Sequence, residues 1–310
     1  MSAPRNTLIG GIRVASLASP AVAGRLAGAA FFSSSPRMRV REDDRFTHAS
    51  ARRDAIELRG RRITTYQWGA GTRTALLLHG WVGRASQFAT LVRDLVAEGY
   101  RVIAFDAPAH GASPGRRIDA RDWMDAAQLL AGSDGPIDLL VGHSLGGFAA
   151  LAATRAGLAA RRVVTISGAG TVRAFHEEFA RMLRLSPAVR TAFEADFHRR
   201  LGMTRAQSDA RFDTLAHPLP GHVEALFVHD ADDRVLPAQH SIDLHDAHPG
   251  RSHLLVTHGF GHNSILGADA ALDAVLAFAA EGLEAFAAPT AAPRGARTDD
   301  RPGPGAPQSR

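Results

Sequence analysis

Six short apolar runs recur between residues 74 and 257, and most are separated by enough chain for a helix. They are T-A-L-L-L (74–78), R-V-I-A-F (101–105), I-D-L-L-V (137–141), R-V-V-T-I-S (162–167), V-E-A-L-F-V (223–228) and H-L-L-V-T (253–257). Each is Leu-rich or β-branched and is bounded by Gly, Pro or Asp. A strand with one wet face alternates apolar and polar residues, whereas a continuous apolar run needs cover on both faces. Helix-length segments at about 86–98, 119–131, 145–157, 237–247 and 269–284 supply that cover. The alternation predicts an α/β fold: a mostly parallel, doubly wound sheet with helices on both faces. Upstream, A-I-E-L-R and R-I-T-T-Y-Q-W (62–68) read as two strands joined by a tight turn at Gly60.

One connection breaks the rhythm. Some 55 residues separate Ser167 from Val223. Two amphipathic helices are predicted there, one presenting Phe175, Phe179, Met182 and Leu183, the other Phe193, Phe197 and Leu201. This predicts a short helical cap insertion over about 170–221, above the C-terminal ends of the strands. The chain then divides into an N-terminal extension (1–50), one domain (51–284) and a Pro-, Gly- and Ala-rich tail (285–310) read as disordered. No acidic residue precedes Glu42. A short helix from about Ala21 to Phe32, docking Leu26, Phe31 and Phe32 on the body, or plain disorder, is the expectation for residues 1–45. An export signal ending near Ala21-Val22-Ala23 and a surface anchor are the alternatives. No stretch reaches the roughly 18 apolar residues that span a bilayer. A cytoplasmic location is expected, or an exported one if residues 1–23 act as a signal.

Charge and cysteine content narrow the chemistry. The formal charge is +5, but residues 1–53 hold nine Arg against three acidic residues, and residues 285–310 four against two. The segment between is slightly acidic, so it lacks the basic surface that neutralises a phosphate backbone, and no nucleic-acid partner is expected. The chain has no lysine, which raises its isoelectric point. It has no cysteine, which removes disulfides, thiolate metal sites and a cysteine nucleophile.

The stretch Gly142-His143-Ser144-Leu145-Gly146-Gly147 follows a buried run and opens a helix-length segment. A sharp strand-to-helix turn forces its central residue toward positive φ, at a cost of about 1–3 kcal/mol for a non-glycine residue. Neighbours two positions away must be small. That geometry lifts the Ser144 hydroxyl clear of the sheet and points the Leu145 N–H into the same space, as in the G-x-S-x-G nucleophile elbow.

With this motif the sequence resembles the α/β-hydrolase superfamily over residues 55–284, as a serine-nucleophile, esterase-like member. The resemblance implies the α/β-hydrolase fold and a site assembled from four further segments. In L-L-L-H-G-W-V-G (76–83) it implies a second oxyanion donor, the Trp81 N–H, with His79 holding the loop. F-D-A-P-A-H-G-A-S (105–113) is similar to the family's D-x-P-G-x-G-x-S loop, with Ala109-His110 in place of its glycine-containing centre; Asp106 and His110 are read as loop-organising. In H-D-A-D-D-R-V-L-P (229–237) the family register assigns the acid to Asp233, with Asp232 and Asp230 as alternatives, and Asp230 stands where the family has glycine. In T-H-G-F-G-H-N-S-I-L (257–266) His262 is the expected general base, and His258 is expected to pack.

Within that resemblance, a serine at the elbow argues against the family's aspartate-nucleophile members, and a carboxylic ester hydrolase working through an acyl-enzyme is the expectation. Thioester, amide or peptide, and carbon–carbon hydrolysis, perhydrolysis, and non-catalytic ligand binding all stay open. No cofactor and no metal are expected. The expected partner is a small apolar ester or related acyl compound, with Phe148, Phe175 and Phe179 as pocket residues or as ordinary core. The oligomeric state is not legible in the sequence.

Overall fold

The computed structural model describes residues 3–34 and 36–287. Eight strands form one sheet: β1 Arg52–Leu58, β2 Arg61–Trp68, β3 Arg73–Leu78, β4 Tyr100–Phe105, β5 Ile137–His143, β6 Ala160–Ile166, β7 Glu224–Asp230 and β8 Ser252–Thr257. Their spatial order is β1-β2-β4-β3-β5-β6-β7-β8. β2 runs antiparallel to β1 and β4, and every other pairing is parallel. Arg59 and Gly60, both at positive φ, make the two-residue turn between β1 and β2. The helices in chain order are α1 Ala3–Ala18, α2 Pro20–Phe31, α3 Arg45–Ala49, α4 Ala89–Ala97, α5 Ala120–Asp134, α6 Leu145–Arg155, α7 Val172–Met182, α8 Pro187–Leu201, α9 Arg205–Phe212, α10 Gln239–Asp246, α11 Gly261–Ser264 and α12 Asp269–Glu281.

The unbroken apolar runs have the expected cause. Leu76, Leu78, Ile103, Phe105 and Leu140 enter one core, and their neighbours Ala75, Leu77, Val102, Ala104 and Leu139 enter another on the opposite face. β3 has β4 on one side and β5 on the other. The loops leaving β3 and β5 therefore diverge, and a crevice opens at their C-terminal ends.

The insertion between β6 and β7 carries three helices, α7, α8 and α9, where two were expected. α9 buries little beyond Ser208 and Phe212, so it left almost no apolar periodicity to read; a capping box between Thr204 and Gln207 starts it. Met182 does not share the inner face with Phe179 and is 39% exposed.

The N-terminal segment differs more. It forms two helices, and Leu26 is 44% exposed rather than docked. α2 lies against α8 through Ala23, Gly24, Ala27 and Gly28. A Cβ on Gly24 would lie 2.6 Å from the Ala192 carbonyl carbon, and one on Gly28 2.2 Å from Asp196 Oδ2. The contact is a close approach of main chains that side-chain hydrophobicity does not register. Phe31 and Phe32 do turn inward, onto Phe197. At the other end, Phe286 stacks on His253, with ring centroids 4.0 Å apart, so the chain is still packed past residue 285. The rest of the tail read as disordered, 288–310, lies outside the described residues.

Candidate active site

Ser144 is the single residue between β5 and α6 and sits at φ 54°, ψ −118°. Its glycine neighbours are required by contact. A Cβ on Gly142 would stand 2.3 Å from the Gly146 carbonyl oxygen, and one on Gly146 2.0 Å from the Leu78 carbonyl oxygen. The Ser144 N–H donates to the Ile166 carbonyl at 2.9 Å, which ties the turn to β6.

His262 stands in the short helix α11, entered from β8 through Gly259 and Gly261, which both take positive φ. Its Nε2 is 3.0 Å from Ser144 Oγ, and its Nδ1 is 2.7 Å from Asp233 Oδ2. Asp233 Oδ1 accepts the N–H groups of Val235 and Leu236 at 2.7 and 3.0 Å. His229 Nε2 lies 3.3 Å from Asp233 Oδ2, while its shorter bond, 2.9 Å, goes to the Leu236 carbonyl. Burial works to raise the Asp233 pKa, but hydrogen bonds from His229 and His262 outweigh it and hold the carboxyl well below the usual carboxylate range. A carboxylate so held accepts the Nδ1 proton, which leaves the Nε2 lone pair for the Ser144 hydroxyl.

The structure separates the three clustered carboxylates. Asp233 alone meets His262. Asp230 is buried and accepts the Thr257 hydroxyl at 2.8 Å and the Phe260 and Gly261 N–H groups at 3.2 and 2.9 Å. It clamps the loop that carries His262, so the side chain standing where the family has glycine does work a glycine could not. Asp232 accepts the Gly259 N–H at 2.9 Å from the exposed side of the same loop. His258, expected to pack, is exposed, because the chain leaves the sheet one residue earlier.

His143, inside the elbow motif, was not singled out from the sequence. Its Nε2–H donates to the His262 carbonyl at 2.8 Å, and its Nδ1 accepts from Gln87 Nε2 at 3.0 Å. Burial, then the neighbouring His262, push its pKa down to about 3, so it stays neutral and fixed in one tautomer.

Trp81 lies in the loop after β3, and Leu145 directly follows Ser144. Leu145 is the first residue of its helix, so its N–H lies outside the helical ladder. The Trp81 N–H has no main-chain acceptor among the described residues. Gly80 must be glycine, since a Cβ there would stand 2.9 Å from His143 Nδ1. The next residue, Val82, is held at φ 61°, and His110 Nε2 accepts its N–H at 3.2 Å. His79 bridges the same loop to β4, accepting the Ala107 N–H at 3.0 Å and donating to the Gly80 carbonyl at 2.8 Å. Asp106 accepts the Ala85 and Ala112 N–H groups and the Tyr66 hydroxyl, each at 2.8 Å. Ala109 takes φ 69°, so the turn survives the loss of the family's glycine.

Two cavities lie near the serine and share Phe175 as a wall. One, of about 50 Å³, has an almost wholly apolar wall that includes Trp81, Leu145, Phe148 and Phe175. Phe31 and Phe32 complete that wall. Their doublet was visible in the sequence, but nothing in its basic, Ala-rich surroundings tied it to the site. The other, of about 290 Å³, contains Ser144, Phe175 and Phe179 and opens past Arg181 and Arg234. Among the described residues, no three His, Asp or Glu side chains gather as a metal ligand set.

Four buried histidines make stability depend on pH. Burial is the leading cause in each: it pushes His48 down to about 4, and His110, His143 and His176 down to about 3. The unfolded chain protonates these rings near pH 6.5, so below that pH it binds more protons than the folded one. Their stabilising contribution is complete above pH 6.5 and is lost as pH falls toward 3–4. A fully buried ring sets a slope of up to about 1.4 kcal/mol per pH unit. Urea midpoints are expected to fall steadily from pH 7 to pH 4, and a flat profile would refute the assignment.

A hydroxyl, an imidazole and a carboxylate joined by two short contacts past the C-terminal ends of a mostly parallel sheet define the class of fold and site. The sequence profile of the alpha/beta hydrolase family matches residues 75–237, over half of the chain, and the protein belongs to that family. Among curated relatives, the sn-1-specific diacylglycerol lipase ABHD11 of Xenopus laevis is 40% identical over 79 residues, 24% of this chain and 25% of the relative. Its Xenopus tropicalis counterpart is 36% identical over 89 residues, 28% of each. The chain thus matches about a quarter of the length of these relatives. Mouse alpha/beta hydrolase domain-containing protein 10 shares the fold with a TM-score of 0.59 at 16% identity, over 76% of this chain and all of that one. The Pyrococcus furiosus esterase Pf2001 gives 0.58 at 16% identity, over 80% and 95%. Family membership supports a hydrolase. Among the described residues, no helix is long and apolar enough to cross a membrane.

Proposed function

We propose that the protein is a serine hydrolase that cleaves a carboxylic ester through an acyl-enzyme on Ser144. The observation that carries this reading is the pair of contacts made by His262, 3.0 Å to Ser144 Oγ and 2.7 Å to Asp233 Oδ2. His262 takes the Ser144 proton as Oγ attacks the ester carbonyl carbon. The oxyanion that forms is met by the Trp81 and Leu145 N–H groups, and Asp233 stabilises the imidazolium. The tetrahedral species then collapses, the ester C–O bond breaks, and His262 returns the proton to the leaving alkoxide. Water, deprotonated by His262, repeats the sequence on the acyl-enzyme and frees the acid. Covalent capture of Ser144 by a fluorophosphonate, together with turnover of p-nitrophenyl esters, tests the reading; an unlabelled Ser144 in folded protein overturns it.

The narrow apolar cavity is assigned to the acyl chain and the wider groove to the leaving group. Phe148 and Phe175 pack edge to face at 5.3 Å and limit the acyl space. Phe175→Ala is expected to raise the kcat/KM ratio of octanoate to butyrate esters on the order of 10-fold, the gain typical of a few extra methylenes in an apolar pocket. An unchanged chain-length profile would remove these residues from the acyl site.

A further inference from the structure

We propose that the outer face of the α1–α2 hairpin docks on the surface of an anionic lipid bilayer. α1 is apolar on two sides. Leu8, Ile9 and Ile12 face inward, toward α2 and the cap helices. On the opposite side Val14 is 70% and Leu17 90% exposed, and α2 continues the strip with Val22 at 47% and Leu26 at 44%. Val14 and Leu17 are three apart on α1, and Val22 and Leu26 four apart on α2, so each helix of the hairpin presents an exposed apolar pair on one face. An exposed apolar pair on a helix asks for a neighbour, and among the described residues Val14 and Leu17 have none that covers them.

The charge on this strip selects the partner. Arg13 and Arg25 are exposed between the apolar residues, and neither pairs with an acid among the described residues. The first 41 residues hold six Arg and no Asp or Glu, while residues 54–284 are slightly acidic. Apolar side chains interspersed with guanidinium groups, without carboxylates, match an acyl–headgroup boundary bearing negative charge. A twofold contact with a second copy would bring the arginines of one strip toward those of the other, which opposes self-association. The hairpin also ends in Phe31 and Phe32, which wall the apolar cavity beside Trp81 and Leu145. Docking would therefore bring to the bilayer the hairpin whose last residues wall that cavity.

The test is co-sedimentation of the full chain with vesicles of phosphatidylcholine, alone or with about one-third phosphatidylglycerol. Binding to the anionic vesicles is expected to exceed binding to the neutral ones on the order of 10-fold and to weaken in about 1 M salt. Val14→Asp combined with Leu17→Asp is expected to lower it on the order of 100-fold with thermal unfolding unchanged, since both side chains already face solvent. Arg13→Glu with Arg25→Glu should erase the anionic preference. Absence of binding, equal binding by the variants, or a dimer in light scattering that Leu17→Asp dissolves would each overturn the proposal. None of these readouts needs turnover, so failure here is separable from failure of the proposed catalytic reading.

Discussion

Ser144→Ala and His262→Ala are each expected to lower kcat on the order of 10⁶-fold, and the double variant hardly further. The reason is geometric. The two side chains share one hydrogen bond of 3.0 Å, and neither can act without the other. A serine hydroxyl is a poor nucleophile near neutral pH, and an imidazole with no hydroxyl to activate has only water to work on. Asp233→Asn is expected to cost less, on the order of 10⁴-fold. Its amide can still meet the Val235 and Leu236 N–H groups through oxygen, but it then offers an N–H to His262 Nδ1 and favours the wrong tautomer. Asp232→Asn, by contrast, should leave kcat within a few-fold, because that carboxylate reaches the loop only at the Gly259 N–H. Steady-state kinetics on a soluble ester checks the series. Additive losses in the double variant would mean that Ser144 and His262 do not work as one unit.

The sheet was legible because its strands are buried on both faces, and that burial writes itself as continuous apolar runs such as 74–78 and 137–141. The meeting of Ser144, Asp233 and His262 was legible for a different reason. Each lies just past the C-terminal end of a strand, and in a parallel sheet those ends share one edge. What the sequence hid are contacts without a composition signal. The α2–α8 packing runs through Gly24 and Gly28, which carry no hydrophobic side chain. The bond from His143 to the His262 carbonyl joins residues 119 apart in the chain and uses a main-chain acceptor, so no pattern of side chains records it. Among Asp230, Asp232 and Asp233, the family register pointed to Asp233, but what the other two do was hidden, because it rests on the N–H groups of the 257–261 loop that their carboxylates accept.

Gly146→Ala is expected to cost more than its single methyl group implies. The added Cβ would fall 2.0 Å from the Leu78 carbonyl oxygen and 2.6 Å from that of His79. Both are main-chain atoms at the end of β3, fixed by parallel pairing to β5 and β4, so the helix rather than the strand must give way. α6 carries Leu145, and β3 leads into Trp81. Any shift that relieves the clash separates the two N–H groups assigned to the oxyanion. The expected result is a loss of about 2–4 kcal/mol of stability, as for other overpacked or strained sites. In whatever fraction still folds, kcat should fall on the order of 10²–10³-fold, the cost of losing one oxyanion donor. Gly132→Ala is the matched control. It lies in α5 with no atom within 4 Å of its added Cβ, and there the same change should stabilise the protein by about 0.5–1 kcal/mol. Chemical denaturation and turnover of both variants decide the matter. If Gly146→Ala keeps wild-type stability and kcat, then α6 and β3 are not in the contact that brings Leu145 and Trp81 to the same oxygen.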